Sequence, residues 1–262
     1  MKKRVLAVLM AVATMATMVG CGDTAAEQKP EASEASGEKV WVIATDTAFK
    51  PFEYTDDNGD FVGIDMEILD AVAKDQGFEY KVDVLGWDAA IAACQANQAD
   101  AMIAGASITD ERKESGWIFS DGYYTATQCM AVKAGAKVKD FKDLKGKTVA
   151  VKNGTQGADY AAELKKKYDF KITKFEDSPT MYQAVSGGQC IACFEDTPIM
   201  KASIKDGEKL QVVEGSENDG SDYGVAIFNK KNQEFLDMFN KGLKNIKKDG
   251  TYDKIIEKYL GK

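Results

Sequence analysis

The sequence predicts an α/β protein of two lobes, each built on a mostly parallel sheet flanked by helices. Three observations carry this. Short apolar, β-branched runs alternate with amphipathic stretches of helical period from residue 40 onward. The same strand–helix order starts again near residue 148. The chain has 262 residues, 44% of them hydrophobic and 29% charged, which is ordinary globular composition and enough for one large domain or two small ones.

In the first module, residues 40–44 read as a buried strand. Asp65 is placed to cap a helix carrying Ile68, Leu69, Val72 and Ala73 on one stripe, and Gly77 to stop it. A strand at 80–85, a helix at 88–96 and a strand at 101–104 complete a βαβαβ order. The second module repeats it. Residues 148–151 read as a strand, and Thr155 caps a helix that runs to about Tyr168. A strand follows at 172–175, then a helix opened by Ser178 and Pro179 and closed by Gly187. Residues 191–194 read as a strand, and Asp196, Thr197 and Pro198 open the next helix. Near the C-terminus Phe235, Leu236, Phe239, Leu243 and Ile246 share one helix face. Gly250 ends that helix, and Thr251 begins a shorter one with Ile255, Ile256 and Tyr259. Met66, Met102, Met130 and Met181 read as core. Ligands of such sheets bind beyond the carboxyl ends of the strands, so the loops there are where chemistry is expected.

Composition excludes several classes of function. The net charge is −8, and no basic run occurs beyond the N-terminus, which disfavours nucleic-acid binding. The sequence has no histidine, so no Ser-His-Asp or Cys-His nucleophile and no His-ligated zinc or haem can be built. Five cysteines are too few for a disulfide scaffold of this size. Cys190 and Cys193 fall three apart on one expected strand, pointing to opposite faces, and are not expected to bond to each other. No second such pair completes a metal site, and neither a metal nor a cofactor is expected. The pairing of Cys94, Cys129, Cys190 and Cys193 is otherwise open.

The N-terminus reads as a processing segment. Lys2, Lys3 and Arg4 precede an uncharged apolar run at 5–19 that is short for a bilayer span, so residues 1–20 are expected to be a signal peptide. The run ends at Met18, Val19, Gly20 and Cys21, which resembles a lipoprotein cleavage motif with methionine in place of the usual leucine. That resemblance implies lipidation of Cys21 and a protein anchored to the outer face of the bacterial cell membrane, not spanning it. Residues 21–37 are rich in Ala, Glu and Ser without large apolar side chains and are expected to be a disordered tether.

Several motifs resemble, in order and spacing, the family-three solute-binding proteins, the amino-acid-binding components of bacterial ABC importers. They are Phe61 to Asp65; Gly105, Ser107, Ile108, Thr109, Glu111 and Arg112; Phe119 to Tyr124; Asp143 to Val151; and Asp249 to Asp253. The resemblance covers nearly all of residues 38–262. It implies a two-lobed periplasmic-binding-protein-like fold whose first lobe is discontinuous (38–124 plus 222–262) and whose second is 125–221, joined by strands crossing near 123–127 and 219–223. It also implies a monomer that passes an amino acid to a membrane permease.

The resemblance assigns roles that chemistry supports. An amino acid is a zwitterion, so a selective site offers a cation to its carboxylate and an anion to its ammonium. Arg112 matches the carboxylate-binding arginine, though taken alone it reads as a surface residue of a charged helical turn. Asp196 matches the ammonium-binding aspartate and can equally cap the helix before Pro198. Ser107 stands where threonine is common, and Gly105 and Ala106 allow close backbone approach. Phe49 and Trp87 match aromatic walls, and Thr155 lies in the facing loop. The run from Thr45 to Phe49, with Lys152 in the second module, is close to the glutamine-binding members, in which the equivalents of Asp46 and Lys152 contact the side-chain amide. Gln156 and Glu195 depart from that subgroup, which tends to have glycine and histidine there. The expected ligand is therefore glutamine, with another polar amino acid next. Two competing readings are an enzyme on the same fold performing dehydration chemistry, for which Glu195 is the suggestive extra acid, and the sensor domain of a receptor.

Overall fold

A computed structural model describes residues 39–261. The expected signal peptide, Cys21 and tether lie outside these residues. The first strand, β1 (Val40–Thr45), is followed by a small hairpin of β2 (Tyr54–Thr55) and β3 (Phe61–Val62), then α1 (Ile64–Gln76), β4 (Glu79–Val84), α2 (Trp87–Gln95), β5 (Ala101–Met102), α3 (Asp110–Glu114) and β6 (Ile118–Phe119). β7 (Tyr124–Ala126) leads to β8 (Gln128–Lys133), β9 (Thr148–Lys152), α4 (Gln156–Tyr168), β10 (Lys171–Phe175), α5 (Ser178–Ser186), β11 (Ala192–Asp196), α6 (Thr197–Lys205) and β12 (Leu210–Val212). The chain returns through β13 (Ser221–Tyr223) to β14 (Ala226–Ile227), α7 (Gln233–Lys248) and α8 (Thr251–Leu260).

Two five-stranded sheets result, with orders β4-β1-β5-β14-β6 and β10-β9-β11-β8-β12. In each, four strands run one way and one against them: three parallel strands are followed by a reversed strand (β14 or β8), and the edge strand (β6 or β12) pairs antiparallel with that one and so runs with the first three. The repeat read from the sequence is thus a repeat of topology, and the first strand of each module lies second in its sheet. Ile43, Ala44, Val149, Ala150 and Val151 are fully buried, as expected of strands covered by helices on both faces. β7 and β13 pair antiparallel, Tyr124 opposite Tyr223, between the two sheets. This is the two-lobed periplasmic-binding-protein architecture with two crossing strands. No helix among the described residues is long and apolar enough to cross a membrane.

The stripe of α7 from Phe235 to Ile246 is buried against α1, where Gly242 lets the helices approach: a Cβ there would come within 2.7 Å of Val72 Cγ1. Gly77 ends α1 in the left-handed conformation, and Thr155 caps α4 through its side chain, both as the sequence suggests.

Three local expectations need correction. Asp65 is not the cap of α1. Gly63 occupies that position, and the amides of Ile64 and Asp65 donate to the backbone carbonyls of Pro51 (3.0 Å) and Phe52 (2.9 Å). The Asp65 carboxyl is therefore free to point into the protein. The cap of α5 is Asp177, whose carboxylate accepts from Thr180 N at 2.7 Å; Ser178 lies inside the helix with its hydroxyl turned to Glu195. Cys190 precedes β11 and does not share its alternation, so Cys190 and Cys193 pack in one apolar cluster with Cys129. Those three and Cys94 are buried free thiols. Met102, Met130 and Met181 are core, and Met66 packs at its edge.

Gly63 has φ +141°, and a Cβ on it would collide with the Phe52 carbonyl that caps α1. Gly63→Ala is expected to cost at least about 2 kcal/mol through strain and the lost cap. Urea denaturation read by far-ultraviolet circular dichroism measures it.

Candidate functional site

A narrow cavity, with little more room than a water molecule needs, lies where the carboxyl ends of the parallel strands of the two sheets face each other. It is lined by Asp46, Phe49, Trp87, Ala104, Gly105, Ser107, Arg112, Lys152, Thr155, Gln156, Glu195 and Asp196. Every site residue expected from the sequence is in that set except Ala106, which is wholly buried in the core behind it. Ala104 takes its place in the lining.

Asp46 follows β1 and Lys152 ends β9, the same place in the two repeats. Their side chains form a buried ion pair, 4% and 2% exposed. The expectation of two separate contacts to a ligand amide is modified: in this state each is the other's partner. The other Asp46 oxygen accepts from Thr47 N at 2.7 Å. The Lys152 ammonium lies 5.4 Å from the Phe49 ring centre and 5.9 Å from that of Trp87. Gly105 has φ +54°, and a Cβ there would run into the Phe49 ring, so the glycine is what lets that wall close.

Arg112 is placed by its own short helix. Thr109 caps α3 by accepting from Arg112 N at 3.2 Å, which turns the guanidinium inward. There it lies between Trp87 and Trp117, with Cζ 5.2 Å and 5.0 Å from the ring centres. It donates to Ser107 O (2.9 Å) and, across to the second sheet's loop, to Gly154 O (3.1 Å). Two of its five N–H donors are thereby used, which leaves donors for a carboxylate. Burial lowers its pKa, and Asp159 and Asp196 oppose that shift. Trp87 Nε1 is buried with no acceptor in the protein.

Asp196 ends β11. One oxygen accepts from Gln128 Nε2 at 2.6 Å and the other from the Tyr223 hydroxyl. Gln128 in turn bonds twice to Asn218, through Gln128 N to Asn218 Oδ1 and Asn218 Nδ2 to Gln128 Oε1, each 2.8 Å. The acid is thus suspended from segments beside both crossing strands. Burial first, then the neighbouring Glu195, raises its pKa to about 6. Glu195 is held more fully: it accepts from Ser178 Oγ (2.6 Å), Tyr182 OH (2.9 Å) and Asp196 N (2.9 Å). Thr155 donates its hydroxyl to Lys152 O at 2.9 Å, and Gln156 donates to Asp159 at 2.9 Å.

Sequence reasoning missed Trp117, Gln128, Tyr182, Ser178 and Tyr223. Gln128 and Tyr223 meet Asp196 from far along the chain, and Trp117, though only five residues from Arg112, has no spacing that marks it as stacking on the guanidinium. Among the described residues no group of three or more Cys, Asp or Glu side chains could hold a metal ion.

A family profile, bacterial extracellular solute-binding proteins, family 3, matches residues 41–262. The chain belongs to that family. It is 30% identical over 260 residues to the arginine-binding extracellular protein ArtP of Bacillus subtilis (strain 168), covering 99% of this chain and 98% of that one. Among solved structures, the arginine-, lysine-, histidine-binding protein ArtJ of Geobacillus stearothermophilus is 38% identical with TM-score 0.78, over 86% of this chain and 96% of that one. Substrate-binding domain 2 of GlnP from Lactococcus lactis, solved in an open conformation, is 39% identical with TM-score 0.59, over 85% and 96%.

Within this family member the Glu195 anchor lies wholly in the second sheet and its helices. Tyr182→Phe removes one donor from a buried carboxylate and is expected to destabilise by about 1.5–3 kcal/mol. Equilibrium unfolding in urea checks it; a change under about 0.5 kcal/mol would mean that water replaces the hydroxyl.

Proposed function

We propose that the protein captures a polar L-amino acid outside the membrane and delivers it to the permease of an ABC importer. The observation that carries this reading is one cavity lined by a guanidinium with unused donors, Arg112, and by a carboxylate with accepting capacity left, Asp196. Arg112 takes the ligand carboxylate and Asp196 the ammonium. Ser107 and Gly105 supply close polar contact, while Phe49 and Trp87 wall the side chain. A binding role fits this arrangement better than catalysis, because each charge has a counterpart on the zwitterion and no acid or base is left poised over a reacting carbon. The lobes are 38–124 with 222–262, and 125–221. They close on the ligand by bending at β7 and β13. Anchoring through lipid on Cys21, after removal of residues 1–20, completes the proposal for a monomer tethered by residues 21–37.

Glutamine is the first ligand. Its amide donates to Asp46 and accepts from Lys152, so it inserts into the existing ion pair without leaving either charge unpaired. Arginine or lysine would bring a cation against Lys152. One observation favours a cationic ligand as a second reading. The lining holds three acids (Asp46, Glu195, Asp196) against two bases (Arg112, Lys152), and a cationic side chain would neutralise the surplus. ArtP and ArtJ are named for binding such ligands.

Two outcomes test these statements. Arg112→Ala is expected to weaken amino-acid binding by about thirty- to several-thousand-fold, the equivalent of about 2–5 kcal/mol for an unpaired buried charge. Because the ammonium needs Asp196 ionised and its pKa lies at about 6, affinity is expected to fall about tenfold per pH unit below that value. Calorimetry across pH 4.5–8 would read this, and Asp196→Asn should flatten the profile at weak affinity.

A competition titration of glutamine against glutamate, asparagine, arginine and histidine tests the ligand. Glutamine is expected to bind at least about tenfold more tightly than glutamate, whose second oxygen meets Asp46. Asp46→Asn should narrow that gap. Tighter binding of arginine or histidine than glutamine would assign the pocket to a cation facing Glu195.

A further inference from the structure

Glu53 and Asp65 form a second acidic pair that the proposed ligand contacts leave unused. Both are fully buried. Glu53 belongs to the Phe49 loop: Phe49 N donates to Glu53 O at 2.7 Å. Asp65, in the first turn of α1, reaches the Gly105 loop, which lies against the Phe49 ring. Its Oδ2 accepts from Gly105 N at 3.0 Å and from the Tyr123 hydroxyl at 2.9 Å. The remaining oxygen of Asp65 and both oxygens of Glu53 are buried without any donor among the described residues. Two ionised carboxylates in so dry a place would be left with like charge and three unsatisfied acceptors. A single proton shared by the two removes most of that cost, and the Asp65 amide on the carbonyl of Phe52, next in sequence to Glu53, brings the two residues together.

We infer that Glu53 carries a proton at neutral pH, donates it in a hydrogen bond to Asp65, and through Asp65 acts as a positioning residue for Gly105 and the cleft wall that Gly105 forms. The groups facing the pair agree with this. Burial, then Asp65 and Asp46, push the Glu53 pKa well above the carboxylate range, and Lys152 opposes them only in part. Burial raises Asp65 to about 6, held there by the Gly105 amide, the Tyr123 hydroxyl and Glu53. At pH 7 the pair therefore holds one proton and one charge and titrates as a unit. The ionised Asp65 then accepts three hydrogen bonds. The Phe49 and Gly105 loops, which pack against each other beside the cavity, are tied to one shared proton.

The functional meaning rests on the ligand reading above, but the protonation and the hold on Gly105 do not. Glu53→Gln keeps a donor toward Asp65 and removes the titrating group, so it should fold and should still protect Gly105. Three ligand-free readouts follow. The infrared difference spectrum of wild type minus Glu53→Gln at about pH 7 should contain the carbonyl stretch of a protonated carboxylic acid. Folding takes up a proton at this pair, so wild-type stability falls as pH rises above the unfolded carboxylate range of about 4.3; the melting temperature of Glu53→Gln should fall less steeply over about pH 5–8, by about one proton's worth. Amide exchange at Gly105, followed by NMR, should stay slow in Glu53→Gln and accelerate at least about tenfold in Glu53→Ala. A missing acid band in the wild type would overturn the inference, as would equal loss of Gly105 protection in both variants. If Glu53→Ala does not fold, the band and the Glu53→Gln profile decide alone. If no amino acid binds yet all three readouts appear, the ligand reading fails and this one stands.

Discussion

The buried ion pair between Lys152 and Asp46 is the contact on which the cleft depends. Taking an ammonium and a carboxylate out of water costs several kcal/mol each, recovered only when they meet in good geometry. The partners end the first strands of the two repeated modules, so they meet only when the carboxyl ends of both sheets converge. Everything else at the site is arranged around that convergence. The Phe49 and Trp87 rings flank the ammonium, and the Arg112 bond to Gly154 O crosses the same gap. Two further contacts at the rim, Asn153 to Asp88 at 3.1 Å and Lys50 to Asp206 at 2.7 Å, are exposed and contribute far less.

The buried charges differ in how completely the protein satisfies them, and that difference ranks their roles. Glu195 accepts from three donors of the second sheet and its helices and is held in place by them. Asp196 has two and retains accepting capacity, at the cost of a raised pKa. Arg112 spends two donors on backbone carbonyls and keeps three. A site that satisfied all of its own groups would have nothing to offer a zwitterion. Under the proposed function, the incomplete satisfaction of Arg112 and Asp196, both buried, is what would give an incoming ligand something to gain.

Much of this was legible in the sequence because it is local. The Val-rich runs at β1 and β9, the apolar stripe of α7 and the Thr155 cap each follow from neighbours within a few residues. The positions of Asp46, Lys152 and Asp196 at strand ends follow from the α/β pattern, and the family motifs supply their chemistry. What could not be read depends on contacts far apart along the chain. Asp65 has the residue type and position of a helix cap, yet backbone carbonyls from Pro51 and Phe52 cap the helix and free its carboxyl to reach Gly105, forty residues on. Ser178 is likewise the expected cap, but Asp177 takes that place and the serine hydroxyl holds Glu195. Pairing of Lys152 with Asp46 across 106 residues has no local signal at all.

The same ranking bears on selectivity. The family scaffold serves different amino acids, so specificity must come from the few groups at the side-chain end of the cavity. There the protein sets an exchangeable ion pair beside a fixed acid. A ligand amide can accept one bond from Lys152 and donate one to Asp46, which leaves the charge balance of the site unchanged. A ligand cation would have to gain more from Glu195 than it loses to Lys152, and Glu195 already accepts from Ser178, Tyr182 and its own neighbouring amide, three of the about four bonds a carboxylate can take. A charge with so little accepting capacity left acts mainly through its field and offers at most one short bond against the desolvation of a guanidinium. The surplus acid therefore weighs less in the balance than the count of charges suggests, and the Asp46–Lys152 pair weighs more.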